Sequence, residues 1–201
     1  MSTPVEFYFD FSSPYGYFAA MRIDELAQKY NRQVEWHSIL LGVIFKTTET
    51  KPLMHIPLKG DYSRHDLLRT ARFHHIGFTI PANFPVATHQ AARAMLWIQN
   101  TQGKDKAKQF ARKVYQAYFG QGIDISEVAP ILKAAEEMGL DSLELANGMI
   151  RQEIKDQLKE EIDQALKLGI FGSPYIIVDG EPFWGFDRFD QIEALLKNGK
   201  I

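Results

Sequence analysis

The stretch Val5–Met21, which reads VEFYFDFSSPYGYFAAM, decides the fold of this chain. Every second residue of Phe7–Phe11 is phenylalanine, and this aromatic alternation predicts a buried β-strand. Ser13 and Pro14 then supply a hydroxyl at a helix N-cap and a proline at the first helical position, so a helix is predicted to begin there. A strand therefore turns into a helix at Ser13, where free backbone N–H groups and the helix dipole favour an anion.

Ser13 has two interpretations at this point. A serine before a proline at a helix start most often only caps the helix. The alternative is that its hydroxyl also acts on a bound anion, and other parts of the chain have to decide between the two.

Composition indicates an ordinary globular protein. The chain has 201 residues, of which 45% are hydrophobic, and a formal charge of −2, so a nucleic-acid partner is not expected. No apolar run is long enough to predict a membrane span, and the first residues do not resemble a secretory signal. Cysteine is absent, which excludes disulfides, a cysteine nucleophile and a dithiol redox centre. A cytoplasmic location is therefore expected.

The segments after Met21 predict a split α/β architecture. Val34–Leu41 reads as a second strand, so the first forty residues form a βαβ unit with a parallel strand pair. Residues 42–62 are rich in proline and glycine and are predicted to form a long loop. Ser63 with Asp66, and Asp141 with Glu144, have the spacing of capping boxes. Helices are predicted at about 63–76, 88–101, 104–119, 126–138, 141–147 and 147–168.

The C-terminal part returns to strands. Residues 175–179 and 182–185 are predicted to form a hairpin, and Asp187 is predicted to cap a final helix. The order is βαβ, an all-helical insertion, then αββα. We therefore assign residues 1–60 and 148–201 to one domain, and residues 61–147 to a helical insertion.

The segment Gly172-Ser173-Pro174 directly precedes the third strand. A proline at this place is either an edge residue or part of a cis peptide. A cis peptide would expose the backbone N–H and C=O of Ser173 to an extended ligand.

The early and late motifs together resemble the thioredoxin superfamily. Ser13-Pro14-Tyr15-Gly16 stands where that superfamily has its active-site tetrad, with Ser13 at the attacking cysteine and Gly16 at the second cysteine. More narrowly, the chain resembles the class kappa glutathione transferases and the bacterial 2-hydroxychromene-2-carboxylate isomerases. The stretches that carry this resemblance are FDFSSPY (9–15), FK (45–46), PLKGDY (57–62), FP (84–85), GIFGSP (169–174) and FWGFDR (183–188).

The resemblance implies a thioredoxin-like fold with bound glutathione. In that family the serine before the proline donates a hydrogen bond to the glutathione sulfur, which implies this role for Ser13 rather than for Ser12. Pro14 and Tyr15 would shape the site, and the backbone of Ser173 would pair with the cysteinyl part of the ligand. The γ-glutamyl end is implied to lie against two residues, Phe186 and Asp187.

Two positions bear on specificity. Thr50 stands where the family has an asparagine that contacts glutathione, which is a departure. Lys46 matches the lysine that lies near the substrate carboxylate in the isomerases.

The histidines form no i, i+4 pair, so no metal site is expected. Three tryptophans are assigned to the core: Trp36, Trp97 and Trp184.

The resemblance implies a glutathione-dependent isomerase. Its reaction would interconvert 2-hydroxychromene-2-carboxylate and trans-o-hydroxybenzylidenepyruvate by reversible thiolate addition, in aromatic catabolism, with a small aromatic substrate and a homodimeric assembly. Two alternatives stay open. One is a kappa-like glutathione transferase acting on another electrophile, and the other is a non-catalytic binding protein of thioredoxin fold.

Overall fold

The computed structural model describes residues 3–201 and contains one four-stranded sheet. The strand order is β2-β1-β3-β4, with β1 and β2 parallel and the other two pairings antiparallel. The parallel pair predicted from the first forty residues is thereby confirmed. The strands are β1 Val5–Phe9, β2 Val34–Ser38, β3 Tyr175–Val178 and β4 Glu181–Trp184.

The helices between β2 and β3 form the inserted part of the fold. Short 3₁₀ turns lie at Leu53–His55 and Phe186–Arg188, and one π turn follows α6 at Gln116–Gly120. The arrangement confirms the predicted thioredoxin-like sheet with a helical insertion. The α-helices are α1 Pro14–Ala20, α2 Ile23–Lys29, α3 Leu41–Thr47, α4 Lys59–Phe73, α5 His89–Gln102, α6 Lys104–Tyr115, α7 Val128–Glu136, α8 Ser142–Met149, α9 Gln152–Lys167 and α10 Phe189–Asn198.

The core is continuous between the sheet and the insertion. Phe7 and Phe9 of β1 are fully buried and meet the Trp36 ring edge to face, with centroids 4.9 and 5.3 Å apart. The Phe9 ring also packs against Tyr115 of α6, and both belong to the same hydrophobic cluster. Burial of this apolar surface fixes α6 against the sheet. The division of the chain at residues 60 and 147 stays a prediction.

The segment 42–62 is not a long loop, and this prediction was wrong. It contains α3, a 3₁₀ turn and the first residues of α4. Ile44 is fully buried against the second face of the sheet, and the first N–H of α3, that of Leu41, donates to the Asp10 carboxylate at 2.6 Å. A distant carboxylate thus supplies the start signal that the local sequence lacks.

Three capping predictions have different outcomes. Asp141 caps α8 by accepting hydrogen bonds from two backbone N–H groups, as predicted. Ser63 lies buried inside α4, so the capping box predicted for it is wrong. Asp187 makes no capping bond to α10, which begins two residues later. Spacing alone does not distinguish a cap from a position inside a helix.

Two further predictions need correction. The helix predicted over residues 147–168 is interrupted, because α8 ends at Met149 and α9 begins at Gln152. Trp184 is 55% exposed and does not belong to the core, unlike the other two tryptophans. Between residues 3 and 201, no helix is long and apolar enough to cross a membrane.

Candidate functional site

The Ser13 hydroxyl is the centre of the site. Ser13 is the N-cap of α1 and is only 4% exposed. Its Oγ accepts a hydrogen bond from the Gly16 N–H at 3.0 Å and donates its own proton to the Ser173 carbonyl at 2.8 Å. The predicted cap is therefore confirmed. In addition, the same hydroxyl joins the helix start to the loop before β3.

The loop before β3 is held against Ser13 by hydrogen bonds. The Ser173–Pro174 bond is cis, which decides between the two interpretations of this proline. The Ser173 Oγ accepts from the Asp10 N–H at 3.0 Å, and the Asp10 carbonyl accepts from the Ser13 N–H at 2.8 Å. Ser13, Asp10 and Ser173 thus close a ring of hydrogen bonds. Ser13 is bound to Ser173 both directly and through the backbone of Asp10.

Gly16 lies on the inner side of this ring. A Cβ at this position would lie 2.7 Å from the Tyr115 Oη, 2.8 Å from the Ser173 Oγ and 3.0 Å from the Ser13 Cβ. The first two distances are shorter than real Cβ contacts, so a side chain at this position would force its neighbours to shift. The space that a side chain at position 16 would need is taken by hydroxyl groups of two other elements.

Asp10 lies beneath the two serines as a buried carboxylate. It is 2% exposed, and its carboxylate accepts hydrogen bonds from the N–H groups of Ser12 (2.7 Å) and Leu41 (2.6 Å) and from the Thr88 hydroxyl (2.8 Å). Burial raises the pKa of Asp10, while these three donors act in the opposite direction. The carboxylate ties the β1–α1 turn to the starts of α3 and α5.

We expect Asp10→Asn to change how stability depends on pH. The native pKa of Asp10 lies above its ordinary value of 3.8. The contribution of the protonated side chain to the free energy of unfolding is therefore full below pH 3.8 and is lost as the pH rises through the native pKa. The free energy of unfolding of the wild type, minus that of Asp10→Asn, should therefore fall as the pH rises across this window. Urea unfolding at a series of pH values measures the difference.

Thr88→Val is the matched control for that experiment. It removes one of the donors that lower the pKa of Asp10, so the same loss should occur at higher pH. A pH dependence identical in all three proteins would contradict the role given to the buried carboxylate.

Tyr15 connects the start of α1 to α4. Its phenol donates to the Asp66 carboxylate at 2.5 Å, and Asp66 is also bound by Arg69. Burial raises the pKa of Tyr15, and the Asp66 carboxylate and the charge of Asp187 raise it further, so the phenol stays protonated. The spacing of Asp66 from Ser63 predicted a helix cap and gave no sign of this contact, since Tyr15 lies 51 residues away.

The structure brings only some of the predicted site residues together. Ser13 and Ser173 are in direct contact, Pro14 is the first residue of α1, and Asp187 is near enough to Tyr15 to affect its pKa. The side chain of Asp187 is 70% exposed and pairs with Arg188 at 3.1 Å. Its carboxylate remains accessible to a ligand.

The other predicted residues are Phe186, Lys46 and Thr50. Phe186 is 5% exposed, with its ring against Phe18 and His74. Lys46 is exposed in the last turn of α3. The Thr50 hydroxyl shares a hydrogen bond of 2.8 Å with that of Thr48. Neither Lys46 nor Thr50 makes a hydrogen bond to the Ser13–Ser173 pair among residues 3–201.

Comparison with known proteins gives consistent results. The DSBA-like thioredoxin domain matches residues 4–197. The chain is 28% identical over 198 residues to the 2-hydroxychromene-2-carboxylate isomerase of Sphingobium xenophagum, covering 98% of this chain and 99% of that protein. It is 29% identical over 208 residues to glutathione S-transferase kappa 1 of Homo sapiens, covering 96% and 90% respectively.

A solved structure supports the same fold. That of a 2-hydroxychromene-2-carboxylate isomerase superimposes with a TM-score of 0.87 at 24% identity, covering 96% of this chain and 94% of that one. The similarity to isomerases and kappa transferases that the sequence indicates is thereby confirmed.

Proposed function

The chain belongs to the DSBA-like thioredoxin domain family, and from this premise we propose that it is a glutathione-dependent isomerase. The proposed reaction interconverts 2-hydroxychromene-2-carboxylate and trans-o-hydroxybenzylidenepyruvate. Its support is the similarity to proteins named isomerases and kappa transferases over nearly the whole chain.

One observation carries the proposal, namely that a serine hydroxyl occupies the buried start of α1 opposite a cis Ser173–Pro174 peptide. The chain has no cysteine, so a thiol reaction at this place needs a sulfur from a ligand. The N–H groups at a helix start, the helix dipole and a hydroxyl donor all favour a thiolate over a thiol. The groups present therefore fit the thiol of glutathione.

Several residues would hold glutathione in this proposal. Ser13 would lie at the sulfur, the backbone of Ser173 at the cysteinyl part, and Asp187 at the ammonium of the γ-glutamyl part. Tyr15 would border the site, and Thr50 would offer a hydroxyl in place of the family asparagine. When bound, glutathione supplies a thiolate that adds reversibly to the substrate double bond, which can then rotate as a single bond.

The hydrogen bond from Ser13 to the Ser173 carbonyl places a condition on this role. A serine hydroxyl has one proton, and in the structure that proton is donated to Ser173 O. Turning it to a sulfur would leave a carbonyl without a donor, at a cost of about 1–3 kcal/mol if the carbonyl stays buried. An amide N–H of the ligand at Ser173 O would remove this cost and release Ser13.

The substrate side of the proposal rests on charge. Lys46 would attract the substrate carboxylate from its exposed position on α3. We also propose a homodimeric assembly and a role in aromatic catabolism, both from the resemblance alone.

Calorimetric titration with glutathione and with S-methylglutathione tests the thiolate site. S-methylglutathione has the same peptide but no ionisable thiol. If the thiolate is the preferred form, glutathione affinity should rise about ten-fold per pH unit between the pKa of the bound thiol and that of the free thiol, about 8.5. The affinity of S-methylglutathione should stay flat. Absence of saturable glutathione binding would refute both enzyme hypotheses and leave the non-catalytic alternative.

A substrate assay distinguishes the isomerase from the kappa-like transferase, which the similarity to the human protein also supports. The absorbance change of 2-hydroxychromene-2-carboxylate is followed with and without glutathione, together with free thiol. An isomerase needs glutathione but leaves the thiol concentration constant. A loss of thiol in proportion to product would favour the transferase.

A further inference from the structure

Three hydroxyl groups lie near Gly16, and they differ in where their protons go. Those of Tyr115 and Ser173 lie within 2.8 Å of where a Cβ of Gly16 would stand, and that of Ser13 accepts from the Gly16 N–H. The Ser13 hydroxyl donates to the Ser173 carbonyl, and the Tyr115 hydroxyl donates to the Asp10 carbonyl at 2.7 Å. Carbonyl oxygens only accept, so the direction of both bonds is certain. The protons of these two hydroxyls are committed to protein acceptors.

The Ser173 hydroxyl is the exception. Its oxygen accepts from the Asp10 N–H at 3.0 Å, and across residues 3–201 its own proton has no protein acceptor. Ser173 is also partly exposed, whereas Ser13 is 4% exposed. The hydroxyl that is ready to donate at this site is therefore that of Ser173.

The position of this hydroxyl is set by rigid neighbours. Its oxygen lies 2.8 Å from where a Cβ of Gly16 would stand, within the first turn of α1. The backbone N–H of Asp10 holds the oxygen, and the pairing of Tyr175 with Tyr8 anchors the chain two residues later. A donor that is held in place before the ligand arrives loses little entropy when it binds.

We propose that the Ser173 hydroxyl is a second thiolate donor, which acts beside Ser13 on the sulfur of bound glutathione. This inference rests on the proposed function and extends it to a side chain that had been given only a backbone role. Ser173 can donate without breaking any hydrogen bond, whereas Ser13 must first release the Ser173 carbonyl. The two hydroxyls approach the sulfur from different elements, the start of α1 and the loop before β3.

The pKa of the bound glutathione thiol tests the proposal directly. It is read from the ultraviolet absorbance of the thiolate in the complex as the pH is raised, with no turnover required. Ser173→Ala should raise this pKa by about one unit, which is a ten-fold loss of thiolate at pH values below the pKa. Ser173→Thr keeps the hydroxyl and should restore most of the shift.

Tyr115→Phe is the matched control. It removes a hydroxyl that is equally close to Gly16 but whose proton is committed to Asp10, so the pKa of the bound thiol should stay at the wild-type value. Ser173→Ala also removes the acceptor of the Asp10 N–H, and this structural effect would lower Tm without moving the thiol pKa.

The possible failures are distinguishable. If neither the wild type nor any variant binds glutathione, the proposed function and this inference are both wrong. If glutathione binds, Ser13→Ala raises the thiol pKa and Ser173→Ala does not, Ser173 is no donor and the proposed function stands. An equal rise in Ser173→Ala and Ser173→Thr would assign the effect to packing and would also overturn the inference.

Discussion

Ser13→Ala should lower kcat by roughly 10²- to 10³-fold, the loss typical when a hydrogen-bond donor to the reacting anion is removed. The variant keeps the backbone N–H groups of α1, so the peptide part of glutathione should still bind. It also loses the N-cap bond from the Gly16 N–H and leaves the Ser173 carbonyl without its donor, which together cost about 2–4 kcal/mol of the free energy of unfolding. Urea unfolding of the same variant measures this loss, so the kinetic and the structural effect can be told apart.

Ser12→Ala is the control for that experiment. The Ser12 hydroxyl accepts from the Val86 N–H at 3.1 Å and makes no bond to the loop that carries Ser173. We expect less than a ten-fold change in kcat, since one surface-proximal hydrogen bond contributes about 1 kcal/mol. Full activity in Ser13→Ala would refute the assignment. Equal losses in the two variants would show that the site needs the turn rather than one hydroxyl.

Gly148→Ala should have the largest effect on stability. Gly148 lies in α8 directly against the indole of Trp97 in α5, and a Cβ there would overlap the five-membered ring. Trp97 is only 9% exposed and cannot easily move away. Overpacking of this kind costs about 3 kcal/mol, which lowers Tm by roughly 10 °C in a protein of this size.

Gly42→Ala gives the matched comparison, because it makes the same substitution in a helix with open space around it. Gly42 lies in the first turn of α3, and within residues 3–201 no atom beyond its chain neighbours and its own helix backbone lies within 4 Å of a Cβ there. Alanine there should be neutral or should stabilise the protein by up to about 1 kcal/mol. Thermal unfolding of both variants checks the pair. Equal Tm values would mean that α8 can shift away from α5 without cost.

Features with a local cause could be predicted from the sequence. The strand-to-helix turn at Ser13 is one, because a hydroxyl followed by proline acts on the next three residues. The Asp141 cap is another. The parallel β1–β2 pair follows from connection length, which is also a local property.

Features with a distant cause could not be predicted in the same way. Helix α3 begins where it does because Asp10, 31 residues earlier, accepts its first N–H. Asp66 has the spacing of a cap residue, yet its partner is Tyr15, and no local pattern signals that contact. The free proton of Ser173 is a further example, since it depends on Ser13 and Asp10 having already used the neighbouring groups.

The Ser13–Ser173 contact has a consequence for synthesis on the ribosome. The two residues are 160 positions apart, and the Asp10–Ser173 bond spans 163. Contacts of such long sequence separation form late, because a long chain must be closed before they stabilise anything. The emerging N-terminal βαβ segment therefore carries Ser13 without its partner until β3 leaves the exit tunnel. Truncated chains that end before Ser173 should then be unable to retain glutathione, even where the inserted helices have already folded.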